Sequence, residues 1–330
     1  MEIPIEDFQP NSIAQGSIQP IFLQLGQSGN RRGFGVPVLV AQGNQPGKTL
    51  VVFAGVHGDE LEGVQAIHEV FLQLDAKALS GCLIAVTVAN LAAYRFTKRL
   101  SPIDGLNLAR TFPGRNDGTL SERIAHYLSQ IIVQHADFFI DLHSGGLTYL
   151  LPTMIGYDAR DTRQGRESKE AALHFGTPVM WGHPQVSPGR SLSVAITKGI
   201  PWLYTECPSG GRVSPSQLPY YVEGLLNLMR YLGMLPGSAI RRIPEVHLLG
   251  TGDLDRTISV NTDGFLVPKV QILDEVRPNQ VVAIVRDLFG RTIEEVRTVH
   301  GGVVSMLRAM PVVSPGDSIC LVADKGPDLR

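Results

Sequence analysis

The feature that most constrains this chain is an alternation of two apolar patterns between residues 48 and about 235. Short unbroken apolar runs are typical of strands buried on both faces, and apolar residues that recur every three or four positions are typical of one face of a helix. The alternation predicts an α/β fold, with a mostly parallel mixed sheet flanked by helices. The runs are TLVVFAGV (49–56), CLIAVTVAN (82–90), DFFIDLH (137–143) and PWLYTE (201–206), and the helical stripes lie at 64–74, 119–133 and 224–235.

The pattern changes near residue 240. After LPGSAIRRIP (235–244), short apolar segments alternate with turn dipeptides such as Asp263-Gly264 and Pro315-Gly316, without helical stripes. This spacing predicts a small all-β domain. We therefore expect two domains, 1–240 and 241–330, with the β-rich segment 1–47 joining an edge of the first sheet.

The numbers of charged and apolar residues argue against nucleic-acid and membrane partners. Lys and Arg total 29 and Asp and Glu total 31 in 330 residues, so there is no basic surplus of the kind that a nucleic-acid binder needs. No apolar stretch approaches the roughly 20 residues that span a bilayer, and the first residues, MEIPIEDFQP, lack the pattern of a signal peptide. We expect a cytoplasmic protein without nucleic-acid or membrane partners, and assembly into a homo-oligomer stays open.

Polar residues stand at the carboxyl ends of three predicted strands. His57 and Glu60 follow the first run at a spacing of three, His143 ends the third run, and Glu206 ends the fourth. Each residue also has an explanation that needs no metal. His57 would be a polar loop residue, and Glu60 a carboxylate that favours a helix N-terminus. His143 would form a hydrogen-bonded pair with Asp141, and Glu206 would be a strand end exposed to solvent.

The shared position favours one site over these alternatives, because the ligand crevice of an open α/β sheet lies outside the carboxyl ends of its strands. Two imidazoles with one carboxylate supply the three protein ligands of a catalytic zinc, which keeps a fourth position open for water. A second carboxylate can serve as the general base. Asp141 shares a strand face with His143 and can orient that imidazole. The sequence therefore predicts one Zn²⁺ per chain.

Four motifs together resemble the succinylglutamate desuccinylase/aspartoacylase family, whose catalytic domain is similar to zinc carboxypeptidases. They are GVHGDELEG, DGLNLARTFPG, DLHSGG and the strand-end Glu206. The resemblance covers roughly 48–235 and extends to 330, since many bacterial members carry a C-terminal β-domain. It implies zinc ligands at His57, Glu60 and His143, a general base at Glu206, an oxyanion-stabilising Arg99, and substrate-binding residues at Arg110 and Asn107.

One position departs from the family pattern. The family usually has Asn-Leu-Asn-Arg where this chain has Asn107-Leu108-Ala109-Arg110. Ala109 offers no side-chain hydrogen bond, which leaves the zinc chemistry intact and the identity of the substrate open.

The predicted function is zinc-dependent hydrolysis of the amide bond in a small N-acyl amino acid or N-acyl amine. The alternatives are a metallocarboxypeptidase that acts on peptides and a non-catalytic zinc-binding protein, and Glu206 argues against the latter because metal binding alone needs no base. The C-terminal domain resembles the barrel of biotinyl and lipoyl carriers. Its lysines are Lys269 and Lys325, and the candidate hairpin Asp287–Gly290 carries none, so we expect a structural cap or oligomer contact instead of a carrier.

Overall fold

The structure is a computed structural model that describes residues 1–25, 35–208, 210–251 and 257–329. Strands β1 to β10 are Glu2–Pro4, Ser17–Gln24, Gly35–Gln42, Gln45–Ala54, Ser80–Val86, Phe138–Leu142, Tyr149–Leu150, Met154–Asp158, Val179–His183 and Trp202–Glu206. Helices α1 to α6 are Glu62–Gln73, Leu91–Arg95, Leu120–His135, Arg163–Phe175, Ser191–Thr197 and Leu218–Tyr231. Strands β11 to β19 are Val246–Leu249, Ile258–Ser259, Gly264–Pro268, Glu275–Val276, Val281–Arg286, Thr292–Arg297, Gly302–Arg308, Val312–Val313 and Ser318–Lys325.

The main sheet has the order β1-β2-β3-β5-β4-β6-β10-β8-β9-β11. Its central pairs β5/β4, β4/β6, β6/β10, β8/β9 and β9/β11 are parallel, whereas β10/β8 and the edge pairs β2/β3 and β3/β5 are antiparallel. The predicted mixed, mostly parallel sheet is therefore confirmed. The first described residues join its edge, as their β-rich pattern predicts.

Helices cover both faces of this sheet. Apolar side chains of α1, α4 and α6 pack in one buried cluster, and those of α3 and α5 pack in another on the opposite face. Strands β4 and β6 contribute alternate residues to the two clusters, which explains why their sequences are apolar at nearly every position. Among the described residues, none of the helices combines the length and apolar character needed to cross a membrane.

The C-terminal region is built from antiparallel strands. One sheet has the order β16-β15-β13-β18, while β19 pairs with β17 and also with β11, so that the C-terminal ladder continues the main sheet. An apolar cluster crosses this junction and joins Trp181 and Met154 to Val303 and Met306. The antiparallel sheet confirms the all-β prediction for this region, and the division into two domains at residue 240 stays a prediction.

Candidate functional site

The predicted ligands come from three neighbouring strands. His57 and Glu60 lie in the loop between β4 and α1, His143 follows β6, and Glu206 is the last residue of β10. Because β4, β6 and β10 are adjacent and parallel, their carboxyl ends meet at one edge of the sheet. One ligand atom from each of His57, Glu60 and His143 lies within 4.8 Å of the other two. The fold thus brings together residues that are up to 86 positions apart in the chain, from His57 to His143.

The loop that carries His57 depends on the glycine that follows it. A Cβ atom at Gly58 would collide with the backbone of Ala93 in α2. Only glycine allows the loop to lie this close to α2, and the Gly58 amide donates to the Lys98 carbonyl oxygen at 2.9 Å. The sequence His-Gly-Asp-Glu therefore encodes the tight turn as well as two candidate ligands.

Both imidazoles point the same ring nitrogen at Glu60. The Nδ1 atom of His57 lies 2.7 Å from Glu60 Oε1, and Nδ1 of His143 lies 2.8 Å from Oε2. The other ring nitrogens are also bonded: Nε2 of His57 lies 3.0 Å from Asn107 Oδ1, and Nε2 of His143 lies 3.3 Å from Asp141 Oδ2. Oxygen acceptors at both Nε2 atoms leave the two Nδ1 atoms and the Glu60 carboxylate as a converging donor set.

Charges within this group hold Glu60 ionised. Burial opposes its charge, but His57 and His143 lower the pKa of Glu60 well below its ordinary value. Burial, together with the Arg99 guanidinium, lowers the pKa of His57 and favours the neutral imidazole. A carboxylate and a neutral imidazole are the forms that bind a metal ion. Against the effect of burial, Asp141 and Glu60 raise the pKa of His143 well above its ordinary value, so that metal binding there would displace a proton.

Glu206 has a different electrostatic environment. Burial, with the negative charge of Glu60 added to it, raises the pKa of Glu206 to about 8. Its Oε2 atom is buried and has no hydrogen-bond partner in the part of the chain that the structure describes. A carboxyl group whose pKa lies close to neutral can both accept and return a proton, which is the requirement for a general base that later acts as an acid.

His57, His143 and Glu206 line one cavity, whose empty space, continuous with solvent, is about 780 Å³. Two predicted arginines line it. The Arg99 Nη1 atom donates to Glu60 Oε1 at 2.8 Å, which places its positive charge beside the donor set. Arg110 lines the same cavity together with Ala109, the position at which this chain departs from the family pattern.

The Asn107 side chain, predicted to bind substrate, has two hydrogen-bond contacts within the protein. Its Oδ1 atom accepts the backbone N–H of Ala109 at 3.0 Å and so caps the single 3-10 turn Leu108–Arg110. The same oxygen lies 3.0 Å from His57 Nε2. Asn107 is not among the described residues that line the cavity. The Asn107 oxygen is thus in position to orient the His57 imidazole, and the contact of Asn107 with a substrate stays a prediction.

The cavity also contains side chains that the sequence analysis missed, among them His183 and Tyr204, which form a hydrogen-bonded pair. His183 ends β9, a short strand that no apolar run predicted. Tyr204 lies two residues before Glu206 in β10, so the period-two alternation of a strand could have placed both on one face. The remaining lining residues missed are Leu151, Trp181, Val186, Ser187, Arg190, Ser191, Leu192 and Thr251.

Comparisons with known proteins agree with this architecture. The model of the succinylglutamate desuccinylase/aspartoacylase catalytic domain matches residues 46–232. The N-alpha-acetyl-L-2,4-diaminobutyric acid deacetylase of Halomonas elongata is 30% identical over 326 residues, which cover 96% of this chain and 93% of that protein.

Solved structures extend the similarity to nearly the whole chain. The product-bound ectoine utilization protein EutE (DoeB) from Ruegeria pomeroyi matches with a TM-score of 0.85 and 28% identity over 95% of this chain and 98% of its own. A succinylglutamate desuccinylase from Silicibacter sp. matches with a TM-score of 0.84 and 27% identity over 96% and 98%. This chain therefore belongs to the succinylglutamate desuccinylase/aspartoacylase family and is a hydrolase of amide bonds.

Proposed function

We propose that this enzyme is a zinc-dependent deacylase that hydrolyses the amide bond of a small N-acyl amino acid or N-acyl amine. The observation that carries the proposal is the convergence of His57, Glu60 and His143 beside the buried carboxyl group of Glu206, all at one sheet edge. His57, His143 and Glu206 line one cavity together with apolar side chains such as Leu151 and Trp181, and a few polar groups in an apolar cavity are typical of small-molecule sites.

The donor set fits zinc. His57, Glu60 and His143 would hold the ion, since two imidazole nitrogens and a carboxylate oxygen are ligands that zinc prefers in catalytic sites. The oxygen acceptors behind both imidazoles are the usual partners of metal-binding histidines. When bound, zinc supplies Lewis acidity, which lowers the pKa of water and polarises an acyl carbonyl group.

The chain's own residues transfer the proton, stabilise the negative charge and bind the substrate. Glu206 removes a proton from the attacking water molecule and returns it to the leaving nitrogen, a transfer for which its raised pKa is suited. Arg99 supplies positive charge for the oxygen that becomes negative in the transition state. Arg110 binds a substrate carboxylate, because a guanidinium group can donate two parallel hydrogen bonds to it. Asn107 and Asp141 keep the two imidazoles oriented.

Two alternatives are weaker. A metallocarboxypeptidase would share the ion and the base, but the family match and the deacetylase of Halomonas elongata favour small acylated substrates. A non-catalytic zinc protein would gain nothing from Glu206 Oε2, which costs free energy to bury and has no hydrogen-bond partner among the described residues. We also propose, from the sequence alone, a cytoplasmic location and leave self-association open.

The proposal is tested by metal analysis and a substrate panel. Purified protein should contain about one zinc per chain, and His143→Ala should lose both the metal and activity. The zinc form should hydrolyse at least one compound among N-acetyl, N-succinyl and N-formyl amino acids. If it binds zinc stoichiometrically and cleaves only C-terminal residues from peptides, the deacylase proposal is wrong.

A further inference from the structure

The segment that follows His143 pairs with the C-terminal strands. In β7, Tyr149 lies opposite Arg308 of the antiparallel strand β17. Beside this pair, the Ala309 amide donates to the Thr148 carbonyl oxygen at 2.8 Å. A predicted metal ligand is therefore followed, six positions later in the chain, by a residue that belongs to the C-terminal strand ladder.

Two close contacts fix the turn that leads into β7. The Tyr149 amide donates to the Gly145 carbonyl oxygen at 2.9 Å, and a Cβ atom at Gly145 would collide with the Tyr149 carbonyl oxygen. The Leu147 amide donates to Oδ2 of Asp59, which lies in the loop between β4 and α1, at 2.9 Å. The first contact requires glycine, and the second ties the turn to the loop that carries two predicted ligands.

The ring of Tyr149 contacts Arg99. The guanidinium carbon of Arg99 lies 5.6 Å from the centre of this ring, within the roughly 6 Å over which a ring face attracts a cation. Tyr149 is half-buried and also packs against the apolar cluster that joins Trp181 to Val303 of β17. The C-terminal strands therefore help to fix the ring that the cation contacts.

Arg99 has a second partner of different chemistry. Its Nη1 atom donates to Glu60 Oε1 at 2.8 Å. A cation bound at Glu60 would repel the guanidinium group, whereas the attraction to the uncharged ring does not depend on Glu60. Arg99 lines the cavity, and Tyr149 is not among the described residues that do. Tyr149 can therefore act on a substrate only through a neighbour such as Arg99.

We propose that Tyr149 is a positioning residue whose ring keeps the Arg99 guanidinium at the cavity, where its charge stabilises the oxygen that becomes negative in the transition state. The inference rests on the proposed deacylase function and adds a residue that acts through Arg99. Because β7 pairs with β17, the C-terminal strands also take part in catalysis, since they hold the ring. Without the ring, the guanidinium would be less well oriented towards the reacting oxygen, and kcat would fall.

The test compares variants that keep or remove the ring face. Tyr149→Leu keeps an apolar side chain without a ring, and it should lower kcat by roughly 3–30-fold, with KM within about twofold of wild type and zinc retained. Tyr149→Phe keeps the ring and should stay within about twofold of wild type in kcat. Pentafluorophenylalanine in place of Tyr149 keeps the shape but removes the negative potential of the ring face, so kcat should fall as in the leucine variant.

A double-mutant cycle separates positioning from a general structural role. In an Arg99→Ala background, Tyr149→Leu should change kcat by less than about twofold, because the residue through which the ring acts is absent. A purely structural role would slow both backgrounds equally. The matched control is Leu150→Ala in the same strand pair. Leu150 pairs with Leu307, and its side chain points to the opposite face of the strand from Tyr149, so kcat should not change.

A measurement without substrate separates this inference from the proposed function. Protons over a ring face resonate upfield, so the Arg99 side-chain N–H signal, assigned by its loss in Arg99→Lys, should move downfield in Tyr149→Leu and stay in place in Tyr149→Phe. If the leucine and pentafluorophenylalanine variants both turn over at the wild-type rate, or Tyr149→Leu has an equal effect in both backgrounds, the inference is overturned although deacylation persists. If no N-acyl compound is hydrolysed, the proposed function fails and the spectrum decides: a moved signal supports the positioning of Arg99 by Tyr149, and an unmoved signal overturns it.

Discussion

Replacing Asn107 with alanine should weaken zinc binding by about 10–100-fold, although Asn107 supplies no ligand atom. A neutral His57 that binds the metal through Nδ1 carries its proton on Nε2, and the Asn107 oxygen at 3.0 Å accepts it. His57 is 2% exposed, so water cannot replace that acceptor without rearrangement. An unsatisfied buried group costs about 1–3 kcal/mol, and at 1.4 kcal/mol per factor of ten this equals roughly 5–150-fold in affinity.

Two further variants isolate the contact with His57. Asn107→Asp keeps an acceptor oxygen and should bind zinc at least as tightly as wild type. Asn107 also caps a 3-10 turn, so Asp75→Ala is the matched control. Asp75 accepts the Lys77 amide at 2.9 Å at the start of another single 3-10 turn, Ala76–Ala78, and no contact joins it to the metal-binding group in the described residues. Its loss should leave zinc affinity unchanged.

Zinc affinity is measured by competition with a chromophoric chelator at fixed pH, and zinc content is checked after dialysis. The reasoning is refuted if Asn107→Ala binds zinc within twofold of wild type. It is refuted equally if Asn107→Asp loses as much affinity as the alanine variant, because the acceptor oxygen would then be irrelevant.

Four other outcomes are expected. Glu206→Gln should retain zinc and lose at least ~10²-fold in kcat, and turnover near wild type would exclude it as the base. Ala109→Asn adds a hydrogen-bond donor beside Arg110 and should raise kcat/KM about tenfold for substrates with a free α-carboxylate relative to uncharged amides, whereas an unchanged ratio means that position 109 does not face the carboxylate. The pKa of His183, lowered by burial to about 4, returns to about 6.5 on unfolding, so the unfolded chain binds more protons between these pH values. Urea unfolding should show on the order of 3 kcal/mol more stability lost from pH 6.5 to pH 4 in wild type than in His183→Phe, and equal losses would contradict the buried neutral state. A chain ending near residue 240 should be poorly soluble, since it exposes the apolar cluster between β9 and β19, and a soluble, fully active product would show that the C-terminal strands are dispensable.

The sequence was sufficient for the parts of the fold that local patterns encode. Apolar runs predicted β4, β5, β6 and β10, and periodic stripes predicted α1, α3 and α6, all of which the structure contains. The run from β8 to β9 escaped prediction, because Gly156 and Gly182 interrupt the apolar residues of the two short strands and α4 between them is largely polar. A short strand beside a polar helix gives too weak a periodic signal to recognise.

The candidate ligands could be predicted for a similar reason. His57, Glu60 and His143 follow buried strands, as the base candidate Glu206 ends one, and the edge at which parallel strands end is a property of the fold class. The partners of these residues could not be predicted in the same way. The contact of the Asn107 oxygen with His57, fifty positions away along the chain, was not predicted, and its contact with a substrate stays a prediction.

Tyr204 and His183 show the limit most clearly. A strand pattern can tell which face of the sheet Tyr204 occupies. The hydroxyl proton of Tyr204 is donated to His183, two strands away, because the other ring nitrogen of His183 donates to the backbone carbonyl oxygen of Gly250. Sequence determined which residues could donate or accept. Tertiary structure decided which of them do so, because hydrogen bonds depend on distance and direction in space and not on separation along the chain.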